Sequence, residues 1–255
     1  MSQDITSRRK FMSLVGIGGA GLLLPGCERI GDTEPVRDVL YSLDGLTKAA
    51  QRLVTARGAL AREYTEAEMS PRFRANGSRM PASADWAGHR DEGFANWSLD
   101  VGGMVSRPLR LSLNQLQNMP SRTQITRHDC VEGWSAIGKW TGVQLSRVLN
   151  LAQMSPDARY ILFRCADEIG GTPYYETIDV IEALHPQTIL AYGMNDDVLP
   201  VAHGAPIRLR AERQLGYKHA KYVMGIEAID SFANIGDGKG GFWEDRSGYD
   251  WWAGI

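Results

Sequence analysis

Cys130 stands in the run Thr126-Arg127-His128-Asp129-Cys130-Val131-Glu132-Gly133-Trp134-Ser135, directly after a strand-like stretch and among ionisable neighbours. The thiolate is the form of cysteine that binds metals, and adjacent cations lower a thiol pKa, so Arg127 and His128 predict a lowered pKa and a metal-ligating thiolate at Cys130. Cys165, in Ile161-Leu162-Phe163-Arg164-Cys165-Ala166, has an apolar flank and reads as a buried structural residue. In an exported chain the ordinary expectation for two such cysteines is a disulfide, and that pairing stays open beside the metal reading. A Cys-His nucleophile built on Cys130 lacks an orienting signature. His89, His128, His185, His203 and His219 never fall three to five residues apart, so a conventional first-row metal site is unsupported.

Anion-binding chemistry gathers toward the C-terminus. His203-Gly204-Ala205-Pro206-Ile207-Arg208 is followed by Arg213, Gly216, Lys218, His219 and Lys221. Arginine offers a planar fork to a phosphate, lysine a point charge, and glycine lets backbone amides come close. Basic residues along strands are also simply a solvated face. Joined to one thiolate candidate, the cluster suggests a phosphate-bearing metal cofactor. Two glycine runs are rejected as nucleotide sites: Gly16-Ile17-Gly18-Gly19-Ala20-Gly21 follows no strand, and Gly236-Asp237-Gly238-Lys239-Gly240-Gly241 lacks Walker spacing and reads as a flexible loop.

The elements that would position these residues are short. Strand-like segments run over 97–101, 109–111, 123–127, 160–165, 188–191, 207–210 and 222–229, rich in β-branched and aromatic residues. Helical stretches at 113–118, 143–151 and 180–184 lie between them, and the irregular alternation predicts α+β rather than a doubly wound sheet. Ahead of these, Val36, Val39, Leu40, Leu43, Leu46, Ala50, Leu53 and Val54 recur at three- and four-residue steps, predicting an amphipathic helix from Pro35 to Arg62. After Tyr64 the pattern breaks into coil at Pro71, Gly77, Pro81 and Gly88. The aromatic tail from Phe242 to Trp252 is expected to pack across the domain.

Arg8-Arg9-Lys10-Phe11 precedes an apolar, glycine-rich run ending at Leu24, which reads as a signal peptide over residues 1–26. The run is shorter than the roughly 20 residues that span a bilayer, and the paired arginines resemble a twin-arginine export signal. Leu24-Pro25-Gly26-Cys27 resembles a lipoprotein box, so Cys27 is either acylated after cleavage or an incidental cysteine behind an ordinary signal. Among 255 residues, 28 Lys+Arg face 30 Asp+Glu. Removing Arg8, Arg9, Lys10 and Asp4 with the signal leaves 25 basic and 29 acidic residues, a formal charge of −4. A chain that is 43% hydrophobic with no polybasic surface is neither disordered nor a nucleic-acid binder.

Several ordered motifs then resemble the sulfite oxidase superfamily of molybdopterin enzymes, and its bacterial exported members in particular. They are Phe73-Arg74-Ala75-Asn76, the block from Cys130 to Ser135, Trp140-Thr141-Gly142, the block from His203 to Arg208, and Gly216-Tyr217-Lys218-x-x-Lys221, together covering residues 73 to about 229. The resemblance implies an α+β, sulfite oxidase-type molybdopterin-binding fold of mixed sheets and short helices over 73–255, and the apolar periodicity puts a helical extension over 27–72 ahead of it. It implies a molybdenum-molybdopterin cofactor with Cys130 as thiolate ligand to the metal. Asn76, Cys165 or the nearby Asp167, His203, Arg208, His219, Ala220 and Lys221 would hold the pterin and its phosphate. Tyr249 and Arg246 of the tail would approach the metal.

Sulfite-oxidising relatives place arginines where this chain has Ala75 and Ser135, so the dianion loses two charge-assisted anchors. The resemblance therefore points to two-electron oxo transfer on an uncharged S-oxide or N-oxide. A membrane b-type or periplasmic c-type cytochrome would exchange the electrons, since the chain carries no C-x-x-C-H haem site. The expected protein is a periplasmic monomer acting on a small molecule. Its rivals are a sulfite dehydrogenase and a non-catalytic lipoprotein that retains the fold as a binding module.

Overall fold

The computed structural model describes residues 45–53 and 55–255, so the export segment, Cys27 and the first part of the expected amphipathic helix lie outside the described residues. Two compact units are present, Met1–Ala50 and Gln51–Ile255. Of the first, residues 45–50 are described and helical; the second opens with 51–53 in the same conformation. The expected helix does not continue to Arg62. Residues 57–58 turn, and the segment beyond is held by an isolated antiparallel bridge between Glu63 and Thr126: Ala61 N–H donates to Gln187 Oε1 (2.7 Å) and Tyr64 N–H to Ile125 O (2.9 Å). Sheet edges offer backbone partners that override a local helical pattern.

In the second unit two five-stranded sheets carry the fold. The strands are β1 (Ser98–Gly103), β2 (Leu109–Ser112), β3 (Ser121–Asp129), β4 (Ser135–Gln144), β5 (Tyr160–Ile169), β6 (Thr172–Asp179), β7 (Ile189–Met194), β8 (Asp197–Val198), β9 (Arg208–Arg210) and β10 (Val223–Ile229). One sheet has the order β2-β1-β10-β5-β6, with β1 and β10 parallel; the other has the order β3-β4-β7-β8, with β9 also on β7. Five short helices connect or flank them: α1 (Ala84–Asp91), α2 (Leu113–Gln117), α3 (Leu145–Leu151), α4 (Val180–Ala183) and α5 (Phe242–Ser247). Local chemistry sets their starts. Ser112 and Gln115 form a capping box on α2, and the Asp179 carboxylate accepts the Glu182 amide of α4 at 3.0 Å. The main core joins Leu99, Val101, Ile161, Phe163, Ile178 and Val223 to the α3 side chains Leu145, Val148 and Leu149, all nearly solvent-free. Each contributes roughly 1.5–3 kcal/mol by burial.

All seven expected strands form, and the α+β class holds. The differences have local causes. The helix expected from Val143 begins only at Leu145, because Val143 and Gln144 still pair with Leu190 and Ile189. β4 was hidden by Gly138 and Gly142, which make its period look broken. A Cβ on Gly142 would lie 2.2 Å from Leu190 O, so the close approach of β7 requires that glycine. β6 was hidden by Pro173, tolerated because β6 is an edge strand. The two-residue β8 is too short to show a period. α1 replaces the coil expected around Gly88; Ser83 caps it, and buried Trp86 packs on Phe94 and Tyr222. α5 lies in the aromatic tail, which does pack across the unit. The run around Gly240 is not a loose loop, since a Cβ there would meet Trp251 at 2.4 Å.

Candidate functional site

β3 and β4 pair in register from Ser121↔Val143 to Asp129↔Ser135, and the chain turns between them through Cys130–Trp134. Cys130 N–H donates to Trp134 O (2.9 Å) and Gly133 N–H to Cys130 O (3.0 Å), with Gly133 at φ +82°, the left-handed conformation glycine adopts freely. The thiol is therefore fixed at the tip of a rigid hairpin. Strand alternation separates it from its sequence neighbours: Arg127 faces outward and pairs with Asp129 (2.9 Å), while His128 is fully buried. The lowered thiol pKa expected from those neighbours is overturned. Burial pushes the Cys130 thiol up, and the Glu132 amide and the charge of Arg74 pull down without reversing it. Cys130 and Cys165 are both free, so the disulfide alternative does not form.

Cys130 opens onto a cleft whose lining brings together Asn76, Asp167, His219, Lys221 and Tyr249 from the expected set. Ser78, Glu132, Tyr174, Tyr217 and Trp243 line it as well and were not anticipated. Ser78 sits two residues after Asn76, a spacing that could have drawn notice, and Tyr174 was concealed with β6. Asp167 reaches the cleft because the β5–β6 register shifts between Arg164 and Glu168; such bulges re-aim a side chain. Its Oδ2 accepts the Ser78 hydroxyl at 2.5 Å and its Oδ1 has no partner. Burial raises the Asp167 pKa, against the Ser78 hydrogen bond and Lys221.

Of the expected basic residues, His219 and Lys221 line the cleft, and His203 and Arg208 do not. Arg208 is fully buried and donates to the carbonyls of His203 (3.0 Å) and His219 (3.3 Å); its Nε has no partner, and its guanidinium lies 5.1 Å from the centre of the Trp140 ring. Burial, then the charge of Arg210, brings its pKa down to about 9. Lys221 Nζ is held by the carbonyls of Asn76 (2.6 Å), Ala202 (3.1 Å) and Ser78, with no carboxylate in ion-pair contact, and burial followed by Arg208 lowers it to about 7. His219 Nε2 faces the carbonyls of Ala211 (2.9 Å) and Gln214 (3.1 Å), so Nε2 carries the proton and Nδ1 is a buried lone pair without a partner. Burial first, then Arg210 and Arg208, keeps this histidine neutral. His203 packs its ring 5.6 Å from Phe73, and burial lowers its pKa to about 4. Ala220 is buried and ties the run to β9 through Leu209 N–H→Ala220 O (2.8 Å).

Other expected site residues stand elsewhere. Cys165 packs against the main core and does not line the cleft. Arg246 donates to Thr172 Oγ1 (2.8 Å) outside the lining. Arg213 and Lys218, grouped in the sequence with the anion-binding residues, are consumed by carboxylates: Arg213 pairs with Glu182, and Lys218 Nζ bridges Glu176 (2.5 Å) and Glu244 (2.6 Å) with all three buried. Among the described residues no group of three or more His, Cys, Asp or Glu could hold a metal ion.

Of the buried atoms without a protein partner, Asn76 Oδ1, Asp167 Oδ1 and His219 Nδ1 belong to residues that line the cleft, while His203 Nδ1 and Arg208 Nε belong to residues that do not. Buried polar atoms are rarely left unpaired without a ligand or water. Two buried cations without ion-pair partners add a demand for negative charge. This donor and acceptor set, with one thiol at its edge, fits a polar, anion-bearing heterocycle that carries a metal.

Comparison with known proteins bears on that fit. Residues 85–234 match the family described as an oxidoreductase molybdopterin binding domain. The chain is 36% identical over 253 residues to a protein of Azospira oryzae that carries the name of a protein-methionine-sulfoxide reductase subunit, YedZ1, covering 98% of this chain and 89% of that one. It is 34% identical over 144 residues to the protein-methionine-sulfoxide reductase catalytic subunit MsrP of Campylobacter jejuni, covering 52% of this chain and 48% of that one. The sulfane dehydrogenase SoxCD from Paracoccus pantotrophus superposes with a TM-score of 0.49 at 21% identity, over 53% of this chain and 39% of that one.

Proposed function

The chain belongs to the molybdopterin-binding oxidoreductases, and on that premise we propose that its cleft reduces an S-oxide, the class to which methionine sulfoxide belongs, with electrons from a cytochrome partner. The observation that carries this reading is the cleft itself, where one thiol shares a lining with polar groups whose atoms lack protein partners. Cys130 would ligate the metal. Asn76, His203, Arg208, His219, Ala220 and Lys221 would hold the pterin and its phosphate, with Arg208 and Lys221 supplying the positive charge. When bound, the cofactor supplies two-electron oxygen-atom transfer, and the protein contributes binding, orientation and electrostatics.

The charge inventory of the cleft favours an uncharged substrate. Lys221 is the one lysine or arginine in the lining, its ammonium is spent on three carbonyls, and the Glu132 side chain shares that lining. Ser135 offers no positive charge, and its hydroxyl is given to Asp129 Oδ1 at 2.5 Å. Apart from Lys221 the lining offers a sulfite dianion no lysine or arginine, whereas a dipolar S–O group would meet the aromatic wall of Tyr217, Trp243 and Tyr249. We further read residues 1–26 as a twin-arginine export signal, Cys27 as a site of lipid anchoring, and the mature protein as a periplasmic monomer.

Protein matured in a cofactor-producing host tests the reading. Elemental mass spectrometry is expected to give near-stoichiometric molybdenum in the wild type and loss of most of it in Cys130→Ser. The wild type should oxidise reduced viologen with methionine sulfoxide and turn over sulfite poorly with a cytochrome acceptor. Faster sulfite oxidation would replace the S-oxide reading with that of a sulfite dehydrogenase. A well-folded, cofactor-free wild type would make the protein a binding module.

A further inference from the structure

Reducing a sulfoxide breaks the sulfur–oxygen bond, releases the thioether and sends the oxygen away as water. Each turnover consumes two electrons, here from a one-electron donor such as a reduced dye or cytochrome, and two protons. The protons need a source in the cleft, and most of its polar groups are committed. Lys221 spends its N–H groups on three carbonyls, and His219 spends its one ring N–H on Ala211 and Gln214. The Tyr174 hydroxyl is given to Tyr217 O (2.8 Å) and the Tyr217 hydroxyl to Asp250 O (2.5 Å). Tyr249 packs its ring against Tyr217 (5.0 Å between ring centres) and Trp243 (5.9 Å).

Asp167 differs from all of these. It is 4% exposed, it lines the cleft, and Oδ1 has no partner while Oδ2 is fixed by Ser78. A buried carboxylate with one bare oxygen is costly, whereas a protonated carboxyl presents an O–H that a ligand can accept. Ser78 is half-buried on the loop after Asn76, so its hydroxyl joins the carboxyl to the solvent side. Resting on the S-oxide reading above, we infer that Asp167, resupplied through Ser78, delivers a proton to the oxygen leaving the substrate. The groups facing Asp167 are Ser78, Lys221 and Tyr222, Cys165 on its own strand, and Tyr174 on β6. Lys221 favours the carboxylate and Ser78 does the same, but burial outweighs both.

The test compares the molybdenum-loaded wild type with Asp167→Asn, Asp167→Glu and Ser78→Ala. It follows metal content and the pH profile of kcat for methionine sulfoxide reduction by reduced benzyl viologen. The protonated acid is the active form, so activity attributable to Asp167 falls as pH rises through its pKa. Asp167→Asn should keep its molybdenum, lose about 100-fold in kcat and lose that alkaline limb, and Asp167→Glu should restore part of both. Ser78→Ala removes a hydrogen bond that favours the anion and should move the limb to higher pH. Lys221 titrates in every variant, so a limb missing only from Asp167→Asn belongs to Asp167. A fully loaded Asp167→Asn with the wild-type profile overturns the inference. Should that variant fail to hold metal, an unmoved limb in loaded Ser78→Ala overturns it instead. A wild type inert toward sulfoxide overturns both this inference and the reading on which it rests.

Discussion

Direction in space, more than adjacency in sequence, sets the chemistry of single residues here. Arg127 and His128 border Cys130 in the chain yet point to opposite faces of β3, and neither charges its thiol. His185 shows how a buried histidine registers in stability. Its Nδ1 accepts the Gln187 amide (3.2 Å) and its Nε2 lies 3.1 Å from Ala59 O, fixing the neutral tautomer. Burial, then the charge of Arg213, lowers its pKa to about 4. Below the ordinary value of about 6.5 the unfolded chain takes up a proton that the folded chain refuses until about 4, so folded stability falls with pH across that window. Denaturant titrations at pH 7.5 and 5.0 should show the wild type losing stability relative to His185→Gln on acidification; a constant difference would contradict the assignment.

At the scale of elements, the turn Gly216–Lys218 and helix α5 are joined by the buried trio of Lys218, Glu176 and Glu244, so the floor and the aromatic wall of the cleft share one anchor. Burial and the neighbouring Glu244 push Glu176 well up, which favours the neutral carboxylic acid at Glu176. Removing the cation while leaving both acids buried is the costly change. Lys218→Met should lose about 3–5 kcal/mol in urea unfolding. Glu176→Gln, which substitutes a neutral amide for the protonated acid, should stay within about 1 kcal/mol of wild type. Equal losses in the two variants would show that no proton is shared.

At the scale of the whole second unit, the C-terminal residues strap the segment Arg213–Leu215. Leu215 N–H donates to Ala253 O (2.8 Å), Ile255 N–H to Arg213 O (3.0 Å) and Ala253 N–H to Gln214 Oε1 (3.1 Å), while Trp252 Nε1 reaches Gln51 Oε1 (2.7 Å). Arg213–Leu215 leads directly into the run from Gly216 to Lys221 that lines the cleft. Deleting Trp252–Ile255 removes three backbone-donated hydrogen bonds, about 3 kcal/mol, and should lower the calorimetric Tm by about 6–12 °C for a unit of this size. The molybdenum content should fall with it. Retention of both would show that the strap carries no load.

The order of motifs from Phe73 to Lys221 and the short, β-rich segments were enough to read the α+β class and the cofactor family, because both depend on residue types at fixed spacing. The strands with clear β-branched or aromatic runs were legible for the same reason. β4 and β6 were not, since Gly142 answers to the backbone of β7 and Pro173 to an edge position, and neither partner is visible along the chain. The cleft was half legible: its thiol and basic residues stood in motifs, but their charge states did not. Arg213 and Lys218 look like anion binders until folding brings Glu182, Glu176 and Glu244 against them, and Asp167 gains its place from a bulge that turns it inward. The sequence by itself determined which groups the protein owns. Tertiary structure alone decided which remain unpaired, because pairing and desolvation act between residues distant in the chain.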